Sequence, residues 1–273
     1  MINDVEKLRE IARNVRISAL EMVHGASSGH IGGSLGIADV LAAIYFYAMD
    51  EQDKFVLSKG HCSPALYAVL AEKGIIPEED LSGFRQANSY LQGHPSMKDV
   101  PGVDASTGSL GQGISVACGM ALGLRGARDG APYSRLPAVY CVMGDGEQQE
   151  GQVWEAAGFA AHYGLDNLCA VVDLNGLQID GNVADVMDVR DLAEKYRAFG
   201  WNVVECDGHD FAEIMGALDA AREFKGKPSV IIAKTIKGKG VSFMENNFAW
   251  HGVAPKENEF NLAMSELTVN SEQ

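Results

Sequence analysis

Apolar positions near the start of the chain recur every three or four residues. They fall on one helical face and predict an amphipathic first helix, at Val5, Leu8, Ala12, Val15, Ala19 and Met22. A Gly- and Ser-rich break follows. The apolar stretch from about Ile37 to Met49 predicts a second helix, and its most apolar part is only about half of the ~20 residues that a membrane span requires. We therefore expect it to be buried in a folded domain.

Short apolar runs rich in β-branched residues alternate with helical patterns along the rest of the chain. They predict strands at KFVLS, AVYCVM, LCAVVDL, WNVVEC and SVIIAKT, with helices between most of them. This alternation is typical of an α/β fold in which a parallel sheet is flanked by helices on both faces. The prediction is a single domain over residues 1–273, with a polar tail from about residue 259.

Composition narrows the classes of function. The net charge of −15 argues against general affinity for nucleic acid or for an anionic membrane, which both require clustered Lys and Arg. The five cysteines are scattered without CxxC spacing, and the N-terminus lacks the apolar core of a signal peptide. These features favour a reduced, cytoplasmic protein.

Ligands of parallel sheets bind beyond the carboxyl ends of the strands. That rule selects four segments, LSKGH, GDGEQQEG, NGLQIDG and KTIKGKG. In the second segment Asp145 lies between Gly144 and Gly146, where the lack of Cβ lets a ligand approach the backbone. Asn175 follows the next strand, so both side chains are candidate ligands for a hard divalent cation such as Mg²⁺. The alternative is that GDG is only a strand-ending turn.

A GDG triplet followed about thirty residues later by an Asn resembles the motif of thiamine-diphosphate enzymes. Within that superfamily, GDGEQQEGQVWEA and DLNGLQIDG resemble transketolase. The resemblance implies that Asp145, Asn175 and the carbonyl of Leu177 bind Mg²⁺, or Ca²⁺ or Mn²⁺ in its place. It also implies that Gly146 contributes its amide to the diphosphate of thiamine diphosphate and that Ile179 packs against this cofactor.

Four histidines lie in Gly-rich contexts that match transketolase motifs in the same order, and singly each would be read as a loop-bracing residue. They are His30 in SSGHIGG, His61 in SKGHCSP, His94 in LQGHPS and His251 in WHGVAP. The resemblance implies that His30 and His251 transfer protons or donate hydrogen bonds to the sugar donor. It implies that His61 and His94 orient the donor and the cofactor. Imidazoles suit this work because their ordinary pKa is near neutral. His24, His162 and His209 match no motif and are predicted to be structural.

Three glycines in TGSLGQG, at the entry to a predicted helix after Thr107, indicate that something approaches the backbone closely. By resemblance, Gly108, Ser109 and Leu110 border the aminopyrimidine of the cofactor. Ser109 stands where proline is common in the family. Ile31, which follows His30, also stands where many family members have proline. The resemblance also implies that Glu150 joins a carboxylate network across a subunit contact, whereas alone it would be read as an acid favoured by the helix dipole.

The activating glutamate and the phosphate-binding arginines of this family lie on a second, pyrimidine-binding domain, for which this chain has no room. The resemblance therefore implies the N-terminal subunit of a split transketolase, a transferase of the pentose phosphate pathway. It would act on sugar phosphates with a C-terminal subunit, in an α2β2 assembly. Alternatives are a truncated longer enzyme, an enzyme for a sulfo- or branched sugar, a deoxyxylulose-phosphate-synthase-like subunit, and a non-enzymatic cofactor-binding subunit. Intact Asp145, Asn175 and histidines argue against the last of these.

Overall fold

The computed structural model of the protein describes residues 1–127 and 135–269. A parallel sheet of five strands runs in the order β1-β2-β3-β7-β6, and a two-stranded hairpin, β4 and β5, lies apart from it. The bounds are β1 (Lys54–Leu57), β2 (Val139–Gly144), β3 (Leu168–Leu174), β4 (Leu177–Gln178), β5 (Gly181–Asn182), β6 (Asn202–Asp207) and β7 (Ser229–Lys234). All pairings in the main sheet are parallel, which confirms the predicted fold class.

Nine helices accompany the sheet within the described residues. They are α1 (Val5–Gly25), α2 (Ile31–Ala43), α3 (Ser63–Glu72), α4 (Gln112–Gly126), α5 (Gly151–His162), α6 (Val183–Met187), α7 (Leu192–Ala198), α8 (Phe211–Glu223) and α9 (Glu257–Val269). Two apolar cores cover opposite faces of the sheet. In β3, Val171 packs into the core with α1, α2, α3 and α8, whereas Ala170 and Val172 pack into the core with α4, α5 and α7. This alternation explains why the strands are apolar throughout.

Helix α2 begins at Ile31, six residues before the predicted start at Ile37, so the break is confined to residues 26–30 and the glycines after His30 are helical. Tight packing is the reason. A Cβ at Gly32 would lie 2.8 Å from the carbonyl oxygen of Trp250, and one at Gly36 would lie 2.9 Å from that of Ile236. The glycines allow α2 to contact the chain that follows β7, at some cost in helix propensity.

The helical stretch Ile31–Ala48 continues α2 through a π-helical turn, Ile44–Ala48. By length and composition it is apolar enough to cross a membrane, with a mean hydropathy of 1.5. However, 89% of it is buried inside the protein, as in the core helix of a folded domain. This burial agrees with the predicted core helix.

Residues 259–269, expected to begin a polar tail, belong to helix α9 in the structure, and residues 270–273 lie outside the described residues. Ala263 and Leu267 of this helix are buried in the core that contains α1. The two apolar positions are four residues apart and therefore lie on one helical face. This spacing is the physical reason why the segment docks although many of its residues are polar.

Candidate active site

The carboxyl ends of β1, β2, β3 and β7 meet at one cavity of about 330 Å³, and all four strand-end segments chosen from the sequence contribute to its wall. Most of the predicted site residues line this cavity: His30, His61, His94, Gly108, Leu110, Gly144, Asp145, Gly146, Glu150, Asn175, Leu177, Ile179 and His251. Ser109 is exposed beside them and does not line it. The structure thus brings together residues that lie up to more than 200 positions apart in the sequence.

Asp145 and Asn175 lie at the ends of the neighbouring strands β2 and β3. One carboxylate oxygen of Asp145 accepts from the Gly176 amide at 2.5 Å, and the other accepts from the Gly146 amide at 2.7 Å. The side-chain oxygen of Asn175 accepts from the Leu177 amide at 3.1 Å. The two turns are therefore joined through Asp145. The amide of Gly146 is engaged within the turn, so its predicted contact with a diphosphate stays a prediction.

The Asp145 carboxylate lacks a direct cationic partner among the described residues. Burial, followed by the negative charge of Asp173, raises the pKa of Asp145 to about 6. The amides of Gly176 and Gly146 and the charge of Lys237 act in the opposite direction but do not prevail. A buried carboxylate with a raised pKa favours a cation beside it, because a cation restores the stability of the charged form.

Across residues 1–127 and 135–269, no group of three or more His, Cys, Asp or Glu side chains is arranged to hold a metal ion. The predicted metal site contains one carboxylate, with an amide oxygen and a backbone carbonyl as its other donors. This set suits Mg²⁺, which commonly takes one or two carboxylates and completes its shell with water and phosphate oxygens.

A buried ion pair that the sequence did not predict crosses the end of β2. The Lys59 ammonium donates to Asp173, which also accepts from the Thr235 hydroxyl. Burial alone would raise the pKa of Asp173, but Lys59 and these hydrogen bonds hold it below its ordinary value. Gly144 pairs with Asp173 in the sheet, and a Cβ there would lie 4.0 Å from Cδ of Lys59. The pair therefore fills the floor of the cavity.

Glu147 is a second buried acid that the sequence did not single out. One oxygen accepts from the Ser58 hydroxyl and from the Gly111 amide at 2.8 Å, and the other accepts from the Gly144 amide at 3.0 Å. Burial raises the pKa of Glu147 although these donors oppose the shift. Because its partners come from three separate segments, Glu147 ties the Gly-rich turn before α4 to the ends of β1 and β2.

The four predicted histidines form one cluster. The His30 ring centroid lies 5.2 Å from that of His61, 5.4 Å from that of His251 and 6.4 Å from that of His94. The rings of His61 and His251 are 5.1 Å apart. These separations allow several imidazoles to contact one small ligand at the same time.

The histidines of this cluster are neutral at pH 7. Burial, followed by the charge of Arg85, lowers the pKa of His30 to about 4. Burial and then Lys237 lower the pKa of His251 to about 3. Burial is also the main cause of the lowered pKa of His61 and of His94. A neutral imidazole has one donor and one acceptor nitrogen, so each ring can both donate and accept a hydrogen bond.

Lys237, in the segment after β7, is the cation that lies between the histidines and the acids. Its ammonium is 3.1 Å from Nδ1 of His251, and its side chain is almost completely buried. Burial, followed by repulsion from Lys59, lowers its pKa. The sequence pattern selects the segment but does not single out this residue. Fully buried lysines are rare unless they are paired, but nothing in the segment KTIKGKG distinguishes Lys237 from Lys234 and Lys239.

The Gly-rich turn before α4 is approached closely by site residues. Gly108 has φ +142°, and a Cβ there would lie 2.8 Å from the His94 ring. Gly111 has φ +81°, and a Cβ there would lie 2.7 Å from Cβ of Glu150. Glu150 is exposed at the start of α5, and none of the described residues bonds to its carboxylate. The close approach predicted from these glycines is thus made by His94 and Glu150.

The three remaining histidines lie outside the cavity. His24 stacks on Phe260 of α9 with 4.1 Å between ring centroids, and His162 contacts Tyr163. His209 bonds to Asp39 at 2.6 Å through Nδ1, and its Nε2 accepts from the Ile236 amide at 2.8 Å. This last contact braces the turn that precedes Lys237, in agreement with a structural assignment.

Comparison with known proteins identifies relatives of the whole chain. The family model described as the thiamine diphosphate binding domain of transketolase matches residues 7–273. The chain is 44% identical over 270 residues to SqwG, a 6-deoxy-6-sulfo-D-fructose transketolase subunit of Clostridium sp. (strain MSTE9), covering 95% of this chain and 96% of that protein. It is 39% identical over 278 residues to one subunit of the apulose-4-phosphate transketolase of Phocaeicola vulgatus, covering 98% and 96%.

Longer transketolases match over part of their length. The mouse transketolase is 40% identical over 273 residues, which cover 96% of this chain and 42% of that protein. The crystal structure of the Campylobacter jejuni transketolase superposes with a TM-score of 0.89 at 33% identity, covering 97% of this chain and 43% of that one. The chain thus spans less than half of these proteins but nearly all of the two subunits.

Proposed function

This chain belongs to the transketolase family, and on that premise we propose that it is the thiamine-diphosphate-binding subunit of a two-subunit transketolase. The observation that carries the proposal is the match along 96% of the length of two proteins that are themselves named as subunits. The complete enzyme would transfer a two-carbon ketol unit from a ketose to an aldose. Its active site would lie at the contact with a C-terminal subunit, in an α2β2 assembly.

The cavity fits the cofactor set that is standard for this family, thiamine diphosphate with a divalent metal ion. When bound, thiamine diphosphate supplies the stabilised carbanion on which ketol transfer depends. Asp145, Asn175 and the carbonyl of Leu177 would hold the metal against the diphosphate. Two features support this fit: the raised pKa of Asp145, and the buried Lys237 in the wall of the same cavity. A metal ion would stabilise the charged form of Asp145, and a phosphate would supply Lys237 with a countercharge.

The histidine cluster would act on the sugar. His30 and His251 are buried in part and neutral, so we assign them hydrogen bonds to the donor hydroxyls and proton transfer at those oxygens. His94, at the exposed side of the cluster, would orient the donor as it enters. His61, on the floor next to Lys59, would orient the cofactor. Ile179 is 64% exposed at the cavity wall and would become covered when the cofactor binds.

The C-terminal subunit would supply the active-site residues that this chain lacks. We assign to it the glutamate that activates the cofactor and the arginines that grip the phosphate of the sugar. Glu150 supports this division, because its carboxylate is exposed beside the cavity and is free to contact a residue of another protomer. The chain matches, along nearly their full length, proteins that are named as subunits. A separate C-terminal subunit is therefore a simpler interpretation than a single long chain that contains both parts.

A second candidate concerns the donor sugar. The two subunits described above are named for non-standard sugars, one for 6-deoxy-6-sulfo-D-fructose and the other for apulose 4-phosphate. We therefore propose a non-standard ketose as the alternative donor. In this case the same residues of this chain act on the first carbons of the ketose, and the partner reads its far end.

The test is a reconstitution. The chain is purified alone and together with the C-terminal subunit from the same organism, and ketol transfer is assayed with Mg²⁺ and thiamine diphosphate. Xylulose 5-phosphate and 6-deoxy-6-sulfofructose serve as parallel donors. We expect turnover only from the mixture. Activity from this chain alone contradicts the split enzyme, and a mixture that uses only the sulfo-sugar moves the second candidate ahead.

A further inference from the structure

Arg85 occupies a strained position beside the histidine cluster. Its φ of +57° is in the left-handed region, which a residue with a Cβ rarely adopts. Its amide donates to the Leu91 carbonyl at 2.8 Å, which closes the turn. Its Nε is buried and has no hydrogen-bond partner among the described residues. A strained and incompletely paired arginine near an active site calls for a functional explanation.

One face of the Arg85 guanidinium lies against the backbone of Gly93. A Cβ at Gly93 would lie 2.5 Å from Nη2 and 2.6 Å from Cζ of Arg85, so a side chain at this position would displace the guanidinium. Gly93 precedes His94 in the chain. Its carbonyl accepts from the Ser63 hydroxyl at 2.9 Å, and the His94 carbonyl accepts from Tyr67 at 3.2 Å. The turn that carries His94 is therefore hydrogen-bonded to helix α3 and packs against the guanidinium of Arg85.

The other end of the residue reaches the turn that carries His30. Nη1 of Arg85 donates to the Ser28 hydroxyl at 2.9 Å. The preceding residue, Phe84, contacts the same turn, since a Cβ at Gly29 would lie 3.3 Å from its ring. Two adjacent residues thus contact both histidine-bearing turns.

We propose that Arg85 is a positioning residue of this site, whose planar guanidinium joins the turn of His30 to the turn of His94 and so fixes the spacing of the two imidazoles. Neither turn contacts the other through a direct hydrogen bond between described residues. A lysine at this position would retain the charge but not the flat surface and the directed donor that Gly93 and Ser28 meet.

The charge of Arg85 supports the same role. After burial, Arg85 is the largest cause of the lowered pKa of both His30 and His94. The groups that face His30 are Arg85, His94, Lys237, His61 and His251, and those that face His94 are Arg85 and His30. The link to catalysis rests on the proposed function, but the spacing and the protonation of the two rings do not.

The experiment is an NMR titration of the histidine side chains in the full chain, which requires no substrate and no second protein. Resonances of His30 and His94 are assigned with His30→Gln and His94→Gln. In the native chain we expect both rings to protonate below their ordinary range and to show a nuclear Overhauser effect between them. In Arg85→Gln we expect both midpoints to rise by about one pH unit, because a unit charge at this range is removed, and the inter-ring effect to weaken.

Arg85→Lys separates charge from geometry. It is expected to keep the midpoints within about 0.3 pH unit of the native values while the inter-ring effect weakens. Ser28→Ala gives an independent test that leaves the arginine in place, with the same weakened effect and unchanged midpoints. Arg197→Gln, at an exposed and remote pair with Glu205, is the control and should alter neither. Native midpoints in Arg85→Gln, together with a native inter-ring effect in both Arg85→Gln and Ser28→Ala, would overturn the proposal, whatever the enzyme turns out to transfer.

Discussion

Two buried aspartates at the ends of adjacent strands have opposite electrostatic surroundings. Asp173 in β3 has the Lys59 ammonium on one side and the Thr235 hydroxyl on the other, and its pKa is lowered. Asp145, after β2, is also buried but accepts only from backbone amides, and its pKa is raised to about 6. Asp173 belongs to a completed ion pair, whereas none of the described residues supplies Asp145 with a direct cationic partner.

Both aspartates are buried, so burial alone does not tell a structural acid from a candidate ligand-binding acid. The presence or absence of a cationic partner does. Burying a charge is costly unless it is paired. The fold meets this requirement at Asp173 with residues of its own, from three strand ends. At Asp145 none of the described residues meets this requirement, which is why we propose a metal ion there. We therefore expect replacement of Asp173 to reduce mainly stability and replacement of Asp145 to reduce mainly cofactor binding.

The largest expected effect is on stability. Asp173→Asn should lower the free energy of unfolding by about 3–5 kcal/mol, because it leaves the Lys59 ammonium buried without a countercharge. Chemical denaturation of the full chain measures this loss. The double variant Lys59→Met with Asp173→Leu should recover most of it, since it removes both charges.

Asp188→Asn is the matched control, because Asp188 forms an exposed pair with Arg190. Its effect should be within about 0.5 kcal/mol. A loss of less than about 1 kcal/mol in Asp173→Asn would mean that the two aspartates do not differ in the way described, and that the buried pair is neutralised in another manner.

The second effect is on the cofactor. Asp145→Asn should weaken Mg²⁺-dependent binding of thiamine diphosphate at least about a hundredfold, or about 2.7 kcal/mol, because the proposed metal site would lose its carboxylate ligand. The unfolding transition should remain cooperative, since Asp145 has no ion pair to lose among the described residues. Calorimetric titration of thiamine diphosphate in the presence of Mg²⁺ measures the change.

Asp180→Asn supplies the comparison for this measurement. Asp180 is also an acid of the cavity wall, but it is exposed and outside the predicted metal trio. Its effect should be less than about threefold, because solvent screens an exposed charge. Equal losses in the two variants would indicate a general attraction of cations to the cavity, without a specific metal ligand at Asp145.

The contrast between the two aspartates also shows what the sequence can predict. Asp145 is predictable because it follows a buried strand between two glycines, which is a local pattern. Asp173 escapes prediction, although an acid inside the apolar run LCAVVDL is a visible anomaly. Its partner Lys59 is 114 residues away, and only the order of strands across the sheet brings the two together.

Glycines account for the main error in the predicted fold. The segment before Ile37 reads as a break because glycine disfavours helices, yet α2 begins at Ile31. A side chain at Gly32 or Gly36 would clash with the carbonyl oxygens of Trp250 and Ile236, which lie about 200 positions later in the chain. Tertiary packing overrides local propensity here, and periodicity alone does not reveal it. The same holds for Gly108, whose neighbour is His94 of the site itself.

The smallest expected effect is the contribution of Asp145 to the pH dependence of stability. Its pKa of about 6 in the folded chain lies above the ordinary value of 3.8, so the folded state binds a proton that the unfolded state has already lost. The sign follows: as pH falls from about 7.5 to about 5, this group should raise the stability of the cofactor-free chain by about 1 kcal/mol. Asp145→Asn should lack this gain, so the difference between native and variant unfolding free energies should change by that amount. A constant difference across the range would show that Asp145 already has a countercharge and resembles Asp173.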